Sequence, residues 1–250
     1  MTKKFIFAFT ALLVFSYAVT AFTTDETKVT GTKDSIAAVI NVDGTVAVTN
    51  ISPADKLSNL YEALNLKALK LNKEAFVQAV NGYKKLNKEG RIKNSLLTIV
   101  DFSQPSTSKR MYILDMAAGK LVKQSHVAHG RNTGALMANK FSNVPESFQS
   151  SLGFYIASET YQGKHGLSLR LDGVEKNIND NARARAIVIH GADYANESFY
   201  KATGYLGRSY GCPAVPTKDA NAIISTICNG SCIFIYSPDK NYIKASKLIA

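Results

Sequence analysis

The sequence predicts a mainly β fold, a sandwich or barrel, with an N-terminal helical lead-in and one C-terminal helix, α+β overall. Three observations lead there. From Asn94 the chain breaks into short β-like apolar runs separated by turn residues; residues 52–90 repeat their apolar positions at helical spacing; and "TKDANAIISTI" returns to that spacing before one last apolar run.

In chain order, Lys3 and Lys4 precede the apolar stretch "FIFAFTALLVFSYAV" and the small-residue site Val19-Thr20-Ala21, the pattern of a secretory signal peptide over residues 1–21. The stretch falls short of the roughly 20 apolar residues that span a bilayer, so cleavage and no stable membrane insertion are expected. Secretion across an inner membrane, to a periplasm or cell envelope, follows. Residues 22–50, rich in Thr with several Asp, read as a flexible tether.

Residues 51–93 form the helical lead-in. Ser52 is placed to cap a first helix with Pro53 at its first position, and Leu57, Leu60, Tyr61 and Leu64 share a face. A second helix follows from Asn72, with Phe76, Ala79, Val80, Tyr83 and Leu86 on one side, and ends near Gly90. The main domain, residues 94–250, carries the β-like runs "SLLTIVDF", "KRMYILDM", "KLVKQSHVAHG", "LGFYIAS", "GLSLRL" and "RAIVIHG". Turn signals such as "SQPSTS" and "MAAGK" between them favour antiparallel pairing. A helix from Thr217, capped by that residue and stopped by Asn229-Gly230, precedes a closing strand "SCIFIYSP".

With 30 Lys and Arg against 19 Asp and Glu, the 250-residue chain carries a formal charge of +11. A basic exported protein suits an anionic envelope polymer and argues against nucleic acid as a partner. Cysteine is scarce: Cys212, Cys228 and Cys232. The last two stand four apart across an Asn-Gly turn, compatible with a local bridge or with two small buried residues. Cys212 is left over either way.

Chemistry narrows to a few side chains. His126 and His129 lie three apart in an apparent strand and would face opposite sides, a poor arrangement for a shared metal. His165 sits in a loop, on the surface or on a cleft. His190 ends an apolar strand and is followed by Gly191, which can turn the chain and present its carbonyl. An imidazole beside a thiol takes its proton and lowers the thiol pKa, so His190 and Cys212 make a base and nucleophile if the fold joins them. The amides of Tyr210, Gly211 and Cys212 are then the candidates to stabilise an oxyanion. No metal and no cofactor are expected.

"RAIVIHG", a loop and "RSYGCPAVP" together resemble the His…Ser/Thr-x-Gly-Cys signature of the L,D-transpeptidase catalytic domain, the YkuD-like murein enzymes, in the branch with proline after the cysteine. The likeness extends through "LLTIVDFSQPSTSKRMYILDM", "HVAHGRNTG" and "CIFIYSP", over roughly residues 60–237. It implies a mostly β catalytic domain, Cys212 as nucleophile, His190 as general base and the Gly191 carbonyl as the group that orients the imidazole. It also implies peptidoglycan stem peptides as partners. Ser209, Tyr210, Gly211, Arg208 and Tyr155 are the substrate or oxyanion candidates, although a strand tyrosine such as Tyr155 is more often a packing residue. Common members carry His before the Gly-Cys pair and Arg or Asn soon after the cysteine. This chain has Tyr210 and "PAVP" there, which leaves Arg185, Arg208 or Lys201, or none of them, to meet the substrate carboxylate, since exposed basic residues are mostly just solvated.

Chain order separates the alternatives. Papain-like and NlpC-type wall hydrolases place cysteine before histidine, and sortases need an arginine after the cysteine, whereas residues 213–250 contain none. The expected activity is L,D-transpeptidation, giving 3-3 crosslinks through a cysteine thioester. The alternatives are an L,D-carboxypeptidase that trims stem tetrapeptides, or a non-catalytic wall-binding module.

Overall fold

The computed structural model describes residues 37–40, 46–49 and 52–249. The signal peptide expected at residues 1–21 lies outside the described residues, as does most of the 22–50 tether. Within the latter, β1 (Ala37–Ile40) pairs antiparallel with β2 (Val46–Thr49). Residues 51–250 form a separate compact unit.

That unit opens with α1 (Pro53–Ala63) and α2 (Lys73–Lys88). Ser52 Oγ accepts from the Asp55 amide at 3.1 Å, and Asn72 Oδ1 accepts from Glu74 at 2.8 Å, so both starts are capped by side chains the sequence placed there. Helix α2 buries Phe76, Ala79, Val80 and Leu86. Gly82 lies on the same helix because a ring fills the space: a Cβ there would sit 2.1 Å from Phe154 Cζ.

A single eight-stranded sheet follows, built from β3 (Leu96–Asp101), β4 (Met111–Asp115), β5 (Lys120–Ser125), β6 (Gly153–Gly163), β7 (Gly166–Gly173), β8 (Val188–Ala192), β9 (Ala214–Pro216) and β10 (Cys232–Tyr236). Its order is β5-β4-β3-β10-β6-β7-β8-β9. The mainly β class holds, but the pairing is mixed: β10 runs parallel to β3, and β9 parallel to β8. Parallel neighbours need a crossover, and here the crossovers are long. One carries α3 (Glu197–Thr203), absent from the sequence-based expectation, and β10 returns after α4 (Thr217–Ile227) to sit between β3 and β6. Short strand β9 and helix α5 (Lys240–Ala245) were likewise not foreseen, being too short to show a period.

The two sheet edges approach each other. Ala128, just after β5, bridges Ala214 of β9, with amide-to-carbonyl bonds of 2.8 and 3.4 Å, so the sheet nearly closes into a barrel. Residues of α1, α2, α4 and most strands share one apolar core. Thr217 does not cap α4; it occupies the first helical position, and its hydroxyl donates to Asp193 Oδ1 at 2.7 Å. All three cysteines are free thiols, so the local bridge between Cys228 and Cys232 is not made: Cys232 is buried in β10, and Cys228 lies partly exposed beyond α4. No helix among the described residues is long and apolar enough to cross a membrane.

Candidate active site

The site lies where the sheet closes. His190, in the middle of β8, stands opposite Ser168 of β7 and beside Ala214 of β9. Cys212 precedes Ala214 by two residues, so the β8–β9 register carries the thiol to the histidine's end of the sheet. Twenty-two residues apart in sequence, both line one open cavity of about 630 Å³.

His190 is buried, and its Nδ1 lies 2.9 Å from the Gly191 carbonyl. A carbonyl only accepts, so Nδ1 carries the proton and Nε2 is left basic. Gly191 is required for packing too: a Cβ would fall 2.9 Å from Ala220 Cβ of α4. His165, from the turn between β6 and β7, stacks on the His190 ring at 4.5 Å and lines the same cavity, which resolves its two readings in favour of the cleft. Burial, with His165 and Lys164 nearby, holds the His190 pKa below its ordinary 6.5.

The cysteine loop is tied down on several sides. Gly211 adopts φ +127°, a conformation other residues rarely take. Its amide donates to Ser209 Oγ at 3.1 Å, Ser209 Oγ donates to the Cys212 carbonyl at 2.6 Å, and Ser150 Oγ donates to the Gly211 carbonyl at 3.0 Å. The Gly211 amide is therefore engaged within the loop, which corrects its expected place among the oxyanion donors. Ser209 shapes the loop through both of these bonds. A further layer lies behind: the Ser209 amide donates to the His129 carbonyl at 3.0 Å, and the His129 ring meets Arg110 Nη2 at 2.7 Å. Arg110 is fully buried and also donates to the Val127 carbonyl. Sequence reasoning set His129 aside as a strand-end polar residue and overlooked Arg110 and Ser150, since nothing local marks a residue whose partners are remote in the chain.

Cys212 as a residue is only partly covered, yet its sulfur is closely surrounded, and burial pushes the thiol up from its ordinary value. The Arg185 charge opposes that rise. Both shifts act against the charged forms, the thiolate and the imidazolium. The His126 and His129 rings face different surroundings, Tyr200 and Phe102 respectively, and no group of three or more metal-ligating side chains occurs among the described residues.

The remaining candidates divide. Arg185, Arg208 and Tyr210 line the cavity with Cys212, while Tyr155 is fully buried in the core, donates to the Ser151 carbonyl at 3.0 Å and does not reach the cleft. Facing of a strand side chain depends on register, which the sequence of β6 alone does not fix. Lys201 is paired with Glu197 at 2.9 Å on α3 and lies outside the cavity. Tyr210 is exposed at the rim, its ring 4.9 Å from Phe148, with Arg131 over both.

A free thiol and a proton-accepting imidazole line one open cleft at the seam of a mostly β sheet, the class of site found in a family of cysteine-dependent enzymes. The family model of the L,D-transpeptidase catalytic domain matches residues 67–236, and the chain belongs to that family. Among solved structures, the chain is similar to an L,D-transpeptidase from Mycobacterium smegmatis, with 12% identity, a TM-score of 0.37 and coverage of 57% of this chain and 59% of that one. An L,D-transpeptidase from Mycobacterium tuberculosis H37Rv aligns with 12% identity, a TM-score of 0.37 and coverage of 57% and 58%. One from Xylanimonas cellulosilytica gives 12% identity, a TM-score of 0.36 and coverage of 66% and 81%. The aligned part spans less than two thirds of either mycobacterial chain. No curated protein matches.

Proposed function

We propose that this protein is an exported peptidoglycan L,D-transpeptidase that forms 3-3 crosslinks through a thioester on Cys212. The observation that carries the reading is the shared cavity of Cys212 and His190, with the His190 tautomer fixed by Gly191.

The chemistry starts from two neutral groups. As Cys212 sulfur approaches the carbonyl between the third residue of a stem tetrapeptide, at its L-centre, and the terminal D-alanine, its proton passes to His190 Nε2. The new imidazolium keeps its Nδ1 bond to Gly191. The C–S bond forms, and negative charge moves to the carbonyl oxygen, where the Tyr210 and Cys212 amides are the donors still assigned to it. Collapse breaks the C–N bond; D-alanine leaves with the proton from His190, and a thioester remains. The acceptor amine then gives its proton to His190, attacks the thioester and expels the thiolate, closing an amide. Water in the acceptor's place gives L,D-carboxypeptidase activity instead. Arg208 at the cavity wall is the side chain proposed to meet the substrate carboxylate, since it has no carboxylate partner among the described residues.

Incubating purified protein with tetrapeptide muropeptides and analysing the products by mass spectrometry tests the proposal. Crosslinked dimer with release of D-alanine is expected. Tripeptide alone assigns the carboxypeptidase, and unchanged substrate returns the wall-binding module.

A further inference from the structure

The cavity around Cys212 is lined by cationic groups. Arg185, Arg208 and Lys164 line it with His165 and His190, and among the described residues no carboxylate does. Arg185 differs from the other cations in being braced. Its Nη1 donates to the Ser142 carbonyl at 2.7 Å and to Ser151 Oγ at 2.6 Å; its Nη2 donates to Ser147 Oγ at 3.2 Å and to the Gln149 carbonyl at 2.6 Å. Every acceptor comes from residues 142–151, and each is neutral, so the bonds hold the guanidinium in place without cancelling its charge.

The cysteine loop rests on this group. A Cβ at Gly211 would lie 3.3 Å from Arg185 Nη2 and 2.9 Å from the Gln149 carbonyl that the same nitrogen bonds. Cys212 sulfur points to the carbonyl of Ala186, the residue after Arg185, at 3.7 Å. The sequence offered Arg185 only as a contact for the substrate carboxylate, but four bonds occupy its terminal nitrogens and leave it poorly placed for that.

We propose that Arg185 is a positioning residue for Cys212: a fixed positive charge, anchored by residues 142–151 beneath Gly211, that holds the loop and stabilises negative charge on the sulfur. This inference rests on Cys212 being the nucleophile. Arg185 acts alongside Tyr161, Lys164 and His165 of the β6–β7 hairpin, His190 of β8, Tyr194 beyond it, and Arg208 and Tyr210 of the loop, all of which face the same cavity. Lys164 and the weakly held Arg208, whose contacts to the Arg131 and Gly134 carbonyls are 3.5 Å, lack such bracing.

The test is the pH dependence of alkylation by iodoacetamide, followed on the Cys212 peptide by mass spectrometry in the intact, folded protein. Alkylation scales with the thiolate fraction, so Arg185→Gln should move the profile to higher pH by about one unit or more, a tenfold loss of rate below the midpoint. Arg185→Lys should restore most of it, and Arg208→Gln should move it much less. An unmoved profile in folded Arg185→Gln, or an equal shift in Arg208→Gln, overturns the proposal. If Arg185→Gln does not fold, Arg185→Lys decides alone: rates within about threefold of wild type, despite a lower melting temperature, support the charge role, and a tenfold loss overturns it. Because alkylation needs no substrate, its outcome is independent of the nucleophile assignment, which fails separately if Cys212→Ala retains D-alanine release.

Discussion

A backbone carbonyl has no proton to give, so the contact between His190 Nδ1 and Gly191 determines which ring nitrogen is basic. In the proposed mechanism the Gly191 carbonyl takes the orienting place that an acidic side chain holds in many thiol and serine enzymes. Removing the base should be costly: His190→Ala is expected to lower kcat/KM by about 100-fold or more, and Cys212→Ala to abolish turnover, both read from D-alanine release. The pH profile carries a sign. Burial disfavours the protonated imidazole, so the neutral base persists to lower pH than in a free histidine, and the acid limb of kcat/KM should lie below pH 6.5. An acid limb at or above that value would contradict the burial of His190. At this scale the sequence was most informative about residues whose chemistry is rare. Cys212 and His190 stood out by type and context, whereas Tyr155 was open to a cleft or a packing reading, and its burial decides for packing.

At the scale of elements, long periodic segments were legible and short ones were not. The α1, α2 and α4 spans follow from apolar spacing and, for α1, from the Ser52 cap, while β9 at three residues and α5 at six have no period to read. Helix α2 also supplies a test in which two effects oppose each other. Gly82→Ala improves helix propensity by about 1 kcal/mol. Against this, the new methyl would lie 2.1 Å from Phe154 Cζ, and that ring is fully buried and stacked 4.2 Å from Phe234, leaving it nowhere to swing. Overpacking of this kind costs about 1–3 kcal/mol, so the substitution should destabilise, seen as a lower urea midpoint with an unchanged m-value. A rise in the midpoint would mean that the α2–β6 contact is looser than its geometry indicates.

At the scale of the molecule, the helical lead-in and the sheet are one folding unit. Phe76 and Leu86 of α2 share a core with Leu97 of β3 and Phe234 of β10, so a chain begun at Asn94 should fail to fold to a soluble, cooperative state, whereas one begun at Ser52 should retain the melting transition of residues 51–250. Calorimetry of the two truncations makes the comparison. The thiols outside the cleft belong to the same scale: Cys232→Ser should lower stability without changing kcat/KM, and Cys228→Ser should do so less, because only Cys232 is fully buried. By itself, the sequence determined the mainly β class and the long helices, and it singled out Cys212 and His190 as the candidate pair, because apolar periodicity and residue chemistry are local properties of the chain. Only the tertiary structure decided the parallel β3–β10 and β8–β9 pairings, the near-closure of the sheet at Ala128 and Ala214, and the seat of Arg185 beneath Gly211. Those depend on which strands become neighbours, a choice made by the whole apolar core and by long crossovers that leave no mark in any short stretch of residues.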